Sequence, residues 1–166
     1  MTERGRKQES TSAIGVHKQQ SSGERMRRIL AVDYGKRRIG LAVSDAMGLL
    51  AHPVKTIVVR SREQAIREIA ELAEKLQVEE VVVGMPVSLD GSHGPQWQET
   101  RQFVAELAKQ VAVPIRGWDE RLTTEAAHRD LREVGKKPSR KRDVVDQVAA
   151  VHILQSYLDW LRHGHR

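Results

Sequence analysis

The side chains best suited to chemistry in this sequence are carboxylates. Asp33 closes the apolar run ILAVD just ahead of a glycine turn. Asp119 and Glu120 follow a second apolar run, VPIRGW. Asp143 and Asp146 lie three residues apart in a helical segment, and so share one face of it. Acids delivered from three segments to one place repel each other unless cations neutralise them. With oxygen ligands alone, the fitting cations are Mg²⁺ or Mn²⁺. Two such ions can activate a water and stabilise the leaving oxygen of a phosphodiester, so no Ser or Cys nucleophile is required. Each acid also has an ordinary reading. Asp33 and Asp119 could form turns, Asp143 could cap a helix, and Asp146 could be a favourable first-turn acid.

The elements that must carry these residues are legible from periodicity. ILAVD (29–33) reads as a buried strand, and IGLAVSD (39–45) returns beside it as an antiparallel partner, because the turn between them is too short for a crossover. A third strand is expected over Val54–Val59 with Pro53 at its start. Helical spacing follows over Arg62–Leu76, then a strand EVVVGMP (80–86) and a loop with turn chemistry at Asp90-Gly91. Gln96–Gln110 is the second helix, with Trp97, Val104, Leu107 and Ala108 inward, and VPIRGWD (113–119) is the fifth strand. Thr123 or Thr124 should cap a third helix reaching about Val134. A last helix spans about Asp143–Leu161. A meander followed by two helical crossovers predicts an α/β fold: a five-stranded mixed sheet with helices on both faces. Asp33 and Glu120 then stand at strand ends, where ligands of open sheets gather.

Composition narrows the classes. The 166 residues contain no cysteine, so disulfides and thiolate metal sites are excluded. No run approaches a membrane span, and a cytoplasmic protein without a membrane partner is expected. Residues 1–27 carry few apolar side chains and no period, and are expected to form a disordered tail ahead of one domain over 28–162. Met26 directly precedes the first strand and is an alternative expected translation start. The net charge of +6 is concentrated in that tail and in a run from Arg132 to Arg142. Within that run Lys136, Lys137, Arg140 and Lys141 suit phosphate contacts, with a merely solvated loop as the alternative. None of the seven histidines forms an HExxH pattern, and there is no GxxxxGK loop or GxSxG elbow. The glycines of GKRRIG (35–40) are expected to serve the hairpin turn and close packing.

Four segments in order, AVDYGKRRIGLAVSD (31–45), VVVGMPVSLDGSHGP (81–95), WDERLTTEAA (118–127) and VDQVAAVHILQSYL (145–158), resemble the YqgF/RuvX family over nearly all of residues 28–160. The resemblance implies a ribonuclease H-like fold related to the junction resolvase RuvC. It implies a metal-dependent nuclease maturing the 5′ end of 16S ribosomal RNA, a structured RNA. The alternative within the family is a resolvase of four-way DNA junctions, acting as a homodimer rather than a monomer. Matched by motif, Asp33, Glu120 and Asp146 are the implied catalytic and metal-binding carboxylates, with Asp143 as an auxiliary ligand. Lys36, Arg121 and Thr123 belong to the shared motifs and are implied to position phosphates or order the site. Met85, Val87 and Ser88 depart from the usual GLP-L-N pattern without touching those residues. Two further classes stay open. One is an actin-like or hexokinase-like phosphotransferase, which normally needs two such domains; the other is a catalytically silent RNA-binding module.

Overall fold

Continuous apolar runs on the central strands dictate a sheet covered on both faces. The computed structural model describes residues 27–123, Arg129 and residues 142–163. Strands β1 (Ile29–Asp33), β2 (Arg38–Ser44) and β3 (Ala51–Val58) form the meander. Helix α1 (Arg62–Lys75) crosses to β4 (Glu80–Met85), and α2 (Pro95–Ala108) crosses to β5 (Ile115–Asp119). A 3₁₀ turn over Glu120–Leu122 follows, and α3 (Arg142–Arg162) is the last helix. The sheet order is β3-β2-β1-β4-β5. β2 is antiparallel to both neighbours, whereas β1, β4 and β5 run parallel. The expected mixed sheet is therefore observed.

Side chains alternate across a strand. On β1, Leu30 and Val32 pack towards α1 and α2 with Ile66, Ile69, Phe103 and Leu107. Ile29 and Ala31 pack the other way, with Ala150, Ile153, Leu154, Tyr157 and Leu158 of α3. Helix α1 starts at a capping box, in which the Ser61 hydroxyl accepts from the Gln64 amide and the Gln64 side chain accepts from the Ser61 amide.

Two expectations change. β3 begins at Ala51, so Pro53 lies inside it rather than at its start. The strand is an edge, and Pro53 faces Ala42 where the register shifts, so its missing N–H breaks little of the ladder. On α2 the buried residues are Thr100, Phe103 and Leu107, while Trp97 is half-buried near the helix start. The third helix expected after Thr123, the tail up to Met26, and Lys136, Lys137, Arg140 and Lys141 lie outside the described residues. Among the described residues no helix is long and apolar enough to cross a membrane.

Candidate active site

Asp33 ends β1 and has the same parity as Ile29 and Ala31, so its side chain leaves the sheet on the α3 side. Its partner across the β1–β2 ladder is Gly40. A Cβ at Gly40 would fall 1.9 Å from the carbonyl oxygen of Asp146. The backbone of α3 thus rests directly on the bare Cα of Gly40, and Asp146 is held over the hairpin beside Asp33. The expectation of close packing for this glycine holds, and its partner is now identified.

Glu120 arrives from the other side. It follows β5, whose C-terminal end lies on the same edge as that of β1 because the two strands are parallel to β4 between them. Gly84 lies near the end of β4, on the face it shares with Val82. A Cβ there would sit 2.8 Å from Glu120 Oε1 and 2.5 Å from Ile153 Cδ1. The absence of a side chain at Gly84 therefore opens a lane across β4, through which Glu120 reaches towards β1. In the sequence this residue is only part of the run EVVVGMP (80–86).

The three acids feel each other. Asp33 is half-buried, and its pKa is pushed up to about 7, chiefly by loss of solvent and then by the charges of Glu120 and Asp146. Glu120 is also raised, by burial first and by Asp119 second. Asp146 has a counterion: Arg38 Nε donates to its Oδ2 at 2.9 Å in a half-buried ion pair. Arg38 lies in the GKRRIG hairpin and was not singled out by sequence reasoning; the only signal was its place two residues before Gly40. Among the described residues, no three acidic or imidazole side chains are drawn into the ligand shell of a single ion. The carboxylates that could hold a divalent cation, hard oxygen donors with excess negative charge, are Asp33, Glu120 and Asp146.

The remaining candidates divide. Asp119 caps the 3₁₀ turn and takes Arg121 in a forked pair, with Nη2 to Oδ2 at 2.7 Å and Nε to both oxygens at 3.1 Å. That guanidinium holds the Asp119 carboxyl below its usual range. Arg121 is exposed beside Glu120, and the Thr123 hydroxyl donates to the Glu120 carbonyl at 2.7 Å, closing the turn. Asp143 is exposed, its carbonyl accepts from the Thr56 hydroxyl at 2.7 Å, and its charge is not among those acting on Asp33. Lys36 pairs with Glu99 of α2 at 3.1 Å, and Tyr34 donates to the same carboxylate at 3.2 Å.

A family model described as RuvX, Holliday junction resolvase, matches residues 27–160. A relative from Halothermothrix orenii, named as a pre-16S rRNA nuclease, is 42% identical over 83% of this chain and 99% of its own length. One of the same name from Acetivibrio thermocellus is 46% identical over 80% of this chain and 95% of its own. Among solved structures, Thermus thermophilus RuvC in complex with a Holliday junction substrate superposes with a TM-score of 0.58. It is 16% identical, over 83% of this chain and 96% of that one, which establishes a shared fold.

Proposed function

The chain belongs to the RuvX family, and from that premise we propose that it is a divalent-cation-dependent nuclease that processes the 5′ end of pre-16S ribosomal RNA in the cytoplasm. The observation that carries the reading is the meeting of Asp33, Glu120 and Asp146 at one edge of the sheet, where burial and the charges of the other two push Asp33 up to about 7. Such a set fits Mg²⁺ or Mn²⁺. Bound there, the cation supplies Lewis acidity that activates water and offsets charge on the leaving oxygen.

The chain's own residues have separate tasks. Asp33 gives up its proton when a cation replaces the missing counter-charge. Glu120 closes the site from β5, through the lane at Gly84. Asp146 is presented by α3, and Arg38 keeps its carboxylate turned into the edge. Asp143 stands three residues before Asp146 as an outer acid that a bound cation could recruit. Arg121 and Lys36 flank the edge as cations for backbone phosphates, and Lys136, Lys137, Arg140 and Lys141 are assigned the same task from the sequence alone.

A second reading is favoured by the description of the family model: cleavage of four-way DNA junctions. It requires two coordinated cuts, hence a two-fold dimer. Purified protein offered precursor 16S RNA and a four-way DNA junction in Mn²⁺, with Asp33→Asn as control, separates them. RNA cleaved near the mature 5′ end, abolished by Asp33→Asn, is the expected result. Cleavage of the junction alone would transfer the assignment to the second reading, and equal cleavage by Asp33→Asn would remove these carboxylates from the chemistry.

A further inference from the structure

The segment joining β4 to α2 lies along the same edge, and the carboxylate site makes no use of it. It forms a tied turn. The Gly91 amide donates to the Ser88 carbonyl at 2.8 Å and the Ser88 amide to the Ser92 carbonyl at 3.1 Å. Asp90 Oδ1 accepts from the Ser92 amide at 2.8 Å, and Gly91 takes a φ of +82°, which suits glycine. This rigid turn holds Leu89 out at 96% exposure, in a chain that fully buries Leu30, Leu41, Leu107 and Leu154.

Directly behind it, His93, Trp97 and Arg101 are spaced by four and form one row along the start of α2. The His93 ring lies flat on Trp97, with centroids 3.7 Å apart and planes 7° apart. The Arg101 guanidinium lies 5.6 Å from the Trp97 centroid. His93 and Arg101 are exposed and Trp97 is half-buried. The position is anchored at both ends. A Cβ on Gly91 would come within 3.8 Å of Arg121 Nη1, next to Glu120. Glu99, on the same two turns of α2, receives Tyr34 and Lys36, the residues just past Asp33.

We infer that this turn and the His93–Trp97–Arg101 row seat an unpaired stretch of the substrate strand, with Leu89 pressed between bases and one base stacked on His93. The inference rests on the nuclease reading. Apolar side chains at the tip of a rigid turn can part stacked bases. Aromatic rings and guanidinium planes hold splayed bases of single-stranded RNA without reading their sequence. Arg101, Arg121 and Lys36 supply positive charge along the path of the backbone. The seat makes the enzyme prefer a single strand adjoining a duplex over continuous duplex.

The test uses the full chain in EDTA, where no cleavage occurs, with an RNA hairpin bearing a single-stranded tail that contains 2-aminopurine, and the same hairpin without a tail. The wild type should bind the tailed hairpin more tightly, change its 2-aminopurine fluorescence, and show quenched tryptophan emission. Trp97→Phe should abolish most of that tryptophan change, because Trp118 and Trp160 pack with Tyr157 in the opposite layer. Leu89→Ser with His93→Ala should weaken tailed-hairpin binding about tenfold and erase the preference for a tail. Its stabilisation by Mn²⁺ should match the wild type, which excludes a folding defect. Variants that bind both hairpins as the wild type does, while the wild type cleaves RNA, would overturn the seat alone. A wild type that neither binds nor cleaves would overturn the nuclease reading with it.

Discussion

Asp33→Asn in the cation-free protein should be more stable than the wild type, and the excess should depend on pH. An ordinary aspartate titrates near 3.8, whereas folding pushes Asp33 up to about 7. A carboxyl raised in this way favours the folded state only while protonated. Its contribution is complete below the unfolded value and is lost as pH rises through the folded one. The full difference corresponds to about 4 kcal/mol. Because Asp33 is half-buried and some solvent reaches it, about 2 kcal/mol is the more realistic figure. Asparagine imitates the protonated form in shape and charge. Urea denaturation in EDTA should therefore give nearly equal stabilities near pH 3, a gap opening once pH rises above about 4, and a plateau of about 2 kcal/mol above about pH 7. Adding Mn²⁺ at pH 8 should stabilise the wild type and leave the variant unmoved. A gap that is flat across this range, or a variant less stable at pH 8, would refute the placement of Asp33 in a desolvated site beside Glu120 and Asp146.

Other perturbations separate packing from chemistry. Gly40→Ala forces a Cβ into the Asp146 carbonyl, which is backbone and cannot swing away, so a loss of about 3 kcal/mol or more is expected on thermal unfolding. Gly84→Ala meets only the ends of the Ile153 and Glu120 side chains; it should cost about 1 kcal/mol in stability, yet reduce RNA cleavage by orders of magnitude as Glu120 is displaced. Arg38→Ala releases the Asp146 carboxylate from the group that holds it, so calorimetry should find Mn²⁺ binding about tenfold weaker and turnover should fall; tighter Mn²⁺ binding would show that Arg38 competes for the ligand rather than orienting it. Neutralising Lys136, Lys137, Arg140 and Lys141 together should lower RNA affinity and flatten its salt dependence, and an unchanged slope would leave that run without a role in binding.

The parts legible in the sequence are those set by period. Continuous apolar runs in ILAVD and VVVGM mark buried strands, and the short Tyr34–Arg37 link forces the antiparallel return observed at β2. The two-residue period of a strand places Asp33 on the same face as Ile29 and Ala31. What escaped were pairings between distant segments. Nothing near Pro53 announces that β3 is an edge with a register shift, because that depends on which strand lies beside it. Arg38 and Gly84 act through Asp146 and Glu120, more than a hundred and more than thirty residues away in sequence, and no local pattern encodes such contacts. Trp97 was expected inward on helical spacing alone; Phe103 takes the core position and stacks on Tyr34, leaving Trp97 to His93.

The seating of α3 on Gly40 has a consequence for biosynthesis. Asp33 and Glu120 emerge from the ribosome well before Asp146, and the third carboxylate is delivered only when α3 docks across the first hairpin. A nascent or prematurely terminated chain ending before Arg142 would carry two of the three acids. It would also expose the apolar face formed by Ile29, Ala31, Ala42 and Val82. Such a fragment would be inert towards the ribosomal transcripts around it and marked for quality control by its bare sheet. With Asp146 as the proposed third ligand, the same contact ties cutting competence to completion of the polypeptide through α3.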